Sequence, residues 1–205
     1  MRERPPDIRS DFDRAFFDRY YQRANTAVIS ADDVYRRARF VLAYLDHLQL
    51  EVRSVLDAGC GTGLWKGALR RIDRDITYTG IDPSEYLCRR YGWTRSAIAD
   101  YAPRRRFDLV VCQDVLQYLD DAGVRASIAA MTRACAGALY FDVPTSDDIQ
   151  DDLLDMKKTD RAIHVRGADW YRALLKKDFV NAGGGVFVRK DARAVVLALE
   201  RLDAR

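Results

Sequence analysis

Between Val52 and Gly63 the chain reads V-R-S-V-L-D-A-G-C-G-T-G, a short apolar run set directly against a glycine-rich turn. Gly59, Gly61 and Gly63 carry no Cβ, so the backbone there can turn tightly and come close to a ligand. An acidic side chain, Asp57, stands two positions before the first glycine. The third glycine arrives one residue too early for the G-x-G-x-x-G of a dinucleotide site, and no Lys-Ser/Thr pair follows to hold phosphate. The pattern points to a ligand that needs no pyrophosphate at a helix start, although a plain strand-to-helix corner would read similarly. A second acidic position, Asp82 in D-P-S, ends another apolar run. A carboxylate there can accept two hydrogen bonds from a ribose diol, or it can simply cap the next helix.

The elements that position these residues follow from periodicity. Val52, Val55 and Leu56 suit a buried parallel strand, Leu64 to Arg71 a helix, and Ile76 to Ile81 a second strand with Pro83 at the first position of the next helix. Thr94 to Ala99 is expected as a third strand ending at Asp100. Phe107 to Cys112 is the clearest buried strand, followed by Gln113 and Asp114. Asp120 or Asp121 caps a helix through Arg133, and Gly137 to Val143 is the fifth strand.

Upstream, Ser10 can cap a helix bearing Phe12, Phe16, Phe17, Tyr20 and Tyr21 at helical spacing, either a core face or a lid. Ser30 or Asp32 opens a helix to about Gln49 that turns Val34, Ala38, Val41, Leu42, Leu45 and Leu48 to the sheet, leaving Arg36, Arg37 and Arg39 on solvated sides. Downstream, residues 144 to 165 carry little periodicity beyond a short helix through Ile149, Leu153 and Met156. Gly167 to Asp178 is helical. Gly183 to Gly185 then introduces a strand, Val186 to Arg189, paired across K-D-A-R with Ala194 to Leu199 in a closing hairpin. Strands alternating with helices require a mainly parallel α/β sheet covered on both faces, doubly wound like a Rossmann fold.

In Asp57, Gly59, Cys60, Gly61 and Gly63, in D-P-S at 82 to 84 and in C-Q-D-V at 112 to 115, the chain resembles the class I S-adenosylmethionine-dependent methyltransferases over roughly Ser54 to Leu199. The resemblance implies a seven-stranded sheet of order 3-2-1-4-5-7-6 with strand 7 antiparallel. It also implies one domain, with N-terminal lid helices in residues 1–50 and a cofactor-binding core in 51–205. The cofactor it implies is S-adenosylmethionine, with S-adenosylhomocysteine as product. Asp57, Ala58, Gly59, Cys60, Gly61 and Gly63 would form its turn, Asp82 and Pro83 would meet the ribose, Ala99 and Asp100 would frame the adenine, and Gln113, Tyr20 and Tyr21 would close the site. Tyr118 stands where relatives often carry histidine. His164, Asp114 and Tyr21, with Tyr20 beside it, are the candidate bases for an acceptor that must lose a proton.

Composition narrows the acceptor. A chain of 205 residues with 48% hydrophobic and 32% charged residues can bury the core of one ordinary domain. A formal net charge of +3 with interspersed signs is too small to predict nucleic acid, and Arg104 to Arg106 reads as a solvated turn. Four separated cysteines and two histidines predict neither a zinc site nor a disulfide framework. No apolar stretch approaches the roughly 18 residues of a membrane span, and the amino terminus lacks a signal-peptide core, so a cytoplasmic protein is expected. The absence of Asn/Asp-Pro-Pro-Tyr after the fourth strand favours a small-molecule O- or N-acceptor over RNA or protein. A catalytically silent S-adenosylmethionine-binding partner protein is the other alternative. A monomer or homodimer is expected.

Overall fold

The computed structural model describes residues 29–153 and 163–202. In chain order the elements are α1 (Ala31–His47), β1 (Ser54–Ala58), α2 (Leu64–Ile72), β2 (Thr77–Asp82), α3 (Glu85–Tyr91), β3 (Thr94–Arg95), β4 (Phe107–Gln113), α4 (Asp121–Ala134), β5 (Cys135–Asp142), α5 (Ser146–Gln150), α6 (Ala168–Leu175), β6 (Phe179–Gly183) and β7 (Val186–Arg189). Ser30 starts α1 with a reciprocal cap: its hydroxyl accepts the Asp33 N–H at 3.1 Å while the Asp33 carboxylate accepts the Ser30 N–H at 3.0 Å.

The seven strands form one sheet of order β3-β2-β1-β4-β5-β7-β6. β1 to β5 pair in parallel, and β7 runs antiparallel to both β5 and β6, as the resemblance implies. Because successive side chains point to opposite faces, each apolar run feeds two cores. Leu56, Val110, Cys112 and Leu139 pack with α4 and α6 on one face. Val55, Leu109, Val111 and Tyr140 pack with α1 and α2 on the other. This double burial explains why Leu109 to Cys112 of β4 reads as an unbroken apolar run.

Several boundaries differ from the sequence reading. The helix expected through Asp178 stops at Leu175, and Phe179–Gly183 is itself a strand. The closing hairpin is therefore β6–β7, with Gly184 and Gly185 as its turn at φ of 57° and 77°, after Gly183 ends β6 at φ 85°. The segment Ala194 to Leu199 is not a strand. Its Val195 N–H donates to the Leu48 carbonyl at 2.9 Å, and a 3₁₀ turn follows at Ala198–Glu200. The glycines were misplaced because V-N-A before them alternates too weakly to read as a strand.

The third strand is only Thr94–Arg95, and Ile98–Asp100 is a 3₁₀ turn. At the sheet edge it has a single neighbour, β2, whose ladder ends at Asp82. Pro83 precedes α3 instead of opening it; Ser84 is the cap, accepting the Leu87 N–H at 3.3 Å. α5 ends before Leu153, which is exposed. Met156 and the aromatic segment with Phe12, Phe16, Phe17, Tyr20 and Tyr21 lie outside the described residues. No helix of the described residues is long and apolar enough to cross a membrane.

Candidate active site

A cavity opens where β1, β2 and β4 end, enclosing about 740 Å³ of empty space counted out to its mouth. Gly59, Cys60, Gly61 and Thr62 form one wall, and Asp57, Asp82 and Pro83 adjoin them. Gln113, Asp114, Val115 and Tyr118 face them from the segment after β4, while Ile29, Val34, Leu64 and Trp65 close the apolar side. The carboxyl ends of adjacent parallel strands where the strand order reverses are where open α/β sheets bind ligands.

Two glycines of the turn do different work. Gly61 has φ +52°, and a Cβ built on it meets nothing within 4 Å, so its missing side chain leaves the cavity wall open. Gly63, at φ +82°, is the left-handed residue before α2, and a Cβ there would come within 2.7 Å of the Trp93 ring. Trp93 also donates its indole N–H to the Gly61 carbonyl at 3.0 Å. The third glycine thus serves packing of the turn and does not line the cavity.

Asp82 holds the turn from the β2 side. One carboxylate oxygen accepts the Gly61 N–H at 3.0 Å and the other the Ser84 N–H at 2.8 Å. Burial raises its pKa, and these two backbone donors oppose the rise. Asp57 is buried against Tyr78, whose hydroxyl donates to it at 2.6 Å. Burial pushes the Asp57 carboxyl up to about 7; the Tyr78 hydrogen bond lowers it and the neighbouring Asp82 charge adds to the rise.

On the opposite wall, Gln113 is fixed by the Trp65 indole, which donates to its Oε1 at 2.9 Å. That leaves the Gln113 amide N–H to reach Asp114 at 3.1 Å. Asp114 has φ 56°, a left-handed conformation uncommon for a residue with a side chain. Burial, with the Asp142 charge behind it, raises the Asp114 carboxyl to about 6, against lowering by Gln113 and Arg37. Arg37, expected on a solvated side of α1, instead pairs with Asp142 and donates to the Tyr140 hydroxyl at 3.3 Å. Helical spacing locates the arginine but not the strand end it faces.

Of the residues predicted for the site, Asp57, Gly59, Cys60, Gly61, Asp82, Pro83, Gln113 and Asp114 line the cavity. Ala58 and Gly63 do not line it, and neither do Ala99 and Asp100; Asp100 is exposed in its 3₁₀ turn. His164 is exposed and also absent from the lining, although its N–H donates to the Gln117 carbonyl at 2.7 Å, beside Tyr118. Tyr20 and Tyr21 lie outside the described residues. Sequence reasoning missed Trp65, Tyr78 and Trp93. Alternation in I-T-Y-T-G-I-D could have grouped Tyr78 with Gly80 and Asp82, but the register that sets Asp57 against Gly80 was not legible.

Among the described residues the lining contains three aspartates and no lysine, arginine or histidine. That set disfavours a phosphate and suits a ligand of net positive charge, as a sulfonium nucleoside with an amino-acid tail is. The open position at Gly61 and the buried Asp82 fit its nucleoside part.

Over residues 21–183 the chain matches the methyltransferase domain family. Comparison with curated protein sequences returns no match. Among solved structures it is similar to the N-methyltransferase NodS from Bradyrhizobium japonicum WM9 in complex with S-adenosylhomocysteine, at 19% identity and TM-score 0.54, covering 76% of this chain and 86% of that one. Magnesium protoporphyrin IX methyltransferase (ChlM) from Synechocystis PCC 6803, with bound S-adenosylmethionine, matches at 18% identity and TM-score 0.57, over 89% and 92% of the two chains. Streptomyces venezuelae DesVI matches at 16% identity and TM-score 0.58, over 80% and 92%. The chain belongs to the methyltransferase domain family and is a class I S-adenosylmethionine-dependent methyltransferase.

Proposed function

We propose that the protein transfers a methyl group from S-adenosylmethionine to a small-molecule acceptor, at oxygen or nitrogen. The observation that carries this reading is a single cavity in which the glycine turn and Asp82 face Gln113 and Asp114. When bound, the cofactor supplies a sulfonium methyl group open to in-line displacement. Gly61 lets the backbone approach it, and Asp82 accepts hydrogen bonds from its ribose, with Asp57 buttressing the turn through Tyr78. Gln113 and Asp114 stand on the acceptor side. Holding acceptor and methyl group in line, away from water, is the main catalytic contribution asked of the fold, and Asp114, raised to about 6 on the acceptor side, is the base. C-Q-D-V at the end of β4, in place of Asn/Asp-Pro-Pro-Tyr, supports a small-molecule acceptor.

Calorimetry tests the reading. S-adenosylmethionine and S-adenosylhomocysteine are expected to bind with micromolar affinity, ~8 kcal/mol, and NADH not at all. Gly61→Val is expected to abolish binding, because its side chain would enter the open wall. Heat from NADH and none from either sulfur ligand would overturn the assignment.

A further inference from the structure

The carboxyl ends of β4 and β5 carry a charge imbalance that the cofactor half of the cavity does not use. The Asp114 N–H donates to the Asp142 carbonyl at 2.9 Å, which fastens the two strand ends together. Their side chains bring two carboxylates, and one guanidinium, Arg37, answers them. Arg37 is committed to Asp142 and to the Tyr140 hydroxyl, so among the described residues the Asp114 carboxylate has the neutral Gln113 amide as its hydrogen-bonded partner. The relay from Trp65 through Gln113 orients that amide N–H toward Asp114. Asp142 also lines a second cavity, with Thr145, Arg172 and Asn181, past the end of β5.

Resting on the methyltransferase reading above, we propose that the acceptor is a basic amine, bound as its ammonium ion at Asp114 with Asp142 beside it. Among the described residues this half-buried carboxylate forms no ion pair of its own and shares the Arg37 charge with Asp142, which is costly, and a ligand cation relieves that cost. The left-handed backbone at Asp114 agrees, since such strain is kept where a side chain must be aimed. A carboxylate acceptor would be repelled, and a neutral hydroxyl would leave the charge uncompensated. In the reaction the ammonium yields a proton to the Asp114 carboxylate. The freed nitrogen lone pair forms the N–C bond as the methyl–sulfur bond breaks, its electron pair going to sulfur. The positive charge ends on the methylated nitrogen, and Asp114 releases the proton to solvent.

The test uses matched probe sets, benzyl, cyclohexyl and hexyl skeletons each bearing an amine, a hydroxyl or a carboxylate, assayed with labelled S-adenosylmethionine. Methyl transfer is expected to the amines, at least tenfold above the matched alcohols. Asp114→Asn is expected to lower kcat/KM for amines about 100-fold while S-adenosylhomocysteine affinity stays within twofold. Asp142→Asn, which frees Arg37, is expected to narrow discrimination against carboxylates, a change that mere loss of structure would not produce. If no probe turns over, calorimetry on the protein loaded with S-adenosylhomocysteine decides. Amines binding best, and losing that preference in Asp114→Asn, upholds the proposal. Preference for alcohols or carboxylates, or no amine binding at all, overturns it. Loss of S-adenosylhomocysteine affinity in Asp114→Asn also overturns it, by assigning that carboxylate to the cofactor. Failure of the wild-type chain to bind S-adenosylhomocysteine would instead count against the methyltransferase reading itself.

Discussion

Asp82 joins two backbone segments that the sequence leaves apart. Its carboxylate accepts the N–H of Ser84, the residue that caps α3, and holds the glycine turn through the Gly61 N–H. Both oxygens belong to a buried residue on the cavity wall, so each keeps a lone pair for a ligand hydroxyl. We expect Asp82→Ala to weaken S-adenosylhomocysteine binding by about 1.5–3 kcal/mol, the scale of hydrogen bonds to a charged group. The fold should survive, with a stability loss of about 1–3 kcal/mol from the two unpaired N–H groups. Titration calorimetry and thermal melting separate the two effects. Unchanged affinity beside a lowered melting point would leave Asp82 with the two backbone hydrogen bonds alone.

Between β1 and α2, the turn's shape depends on a residue from another element. Trp93, just before β3, accepts Gly63 against its ring, donates to the Gly61 carbonyl, and stacks on Tyr91 with ring centroids 5.8 Å apart. Lys66 of α2 lies 4.6 Å over the same indole. An alanine at position 63 would meet both a left-handed backbone and the Trp93 ring, whereas at 61 only the backbone opposes it. Gly63→Ala is therefore expected to destabilise the protein more than Gly61→Ala, by about 1 kcal/mol or more. In a double-mutant cycle with Trp93→Ala, removal of the ring should recover part of the Gly63→Ala loss, a coupling of about 0.5–3 kcal/mol. Strict additivity in denaturant unfolding would show that the ring does not shape the turn.

For the whole molecule, the strand ends gather acidic groups whose protonation responds to folding. Asp57 rises to about 7 and Asp114 to about 6, both from the ordinary aspartate value of 3.8. A carboxyl whose folded pKa lies above its unfolded one stabilises the fold fully below the unfolded value, and that stabilisation is lost as pH rises through the folded value. These two groups should therefore make stability fall between about pH 4 and pH 7, on the order of a few kcal/mol, and add no slope above it. Denaturant unfolding across that range, compared between the wild type and Asp57→Asn, measures the term. The variant should flatten the decline, because an amide keeps the Tyr78 hydroxyl paired without a charge to bury. An unchanged slope would mean that Asp57 is solvated more than its position in the fold implies.

The sequence by itself determined what depends on near neighbours along the chain. Apolar runs such as L-V-V-C at 109 to 112 specify strands buried on both faces, capping residues such as Ser30 specify helix starts, and the G-C-G-T-G turn specifies a tight strand-to-helix corner. Together with the resemblance, these gave the sheet order and most of the cavity's lining. Tertiary structure alone decided the rest, because it depends on register and on which distant elements meet. Gly63 packs against Trp93 and does not line the cavity, Tyr78 reaches Asp57 across β1 and β2, and Arg37 turns from solvent to Asp142. The short β3 and the displaced terminal hairpin belong to the same class: an edge strand's length is set by its neighbour's ladder, and a glycine turn closes whichever strands flank it in space.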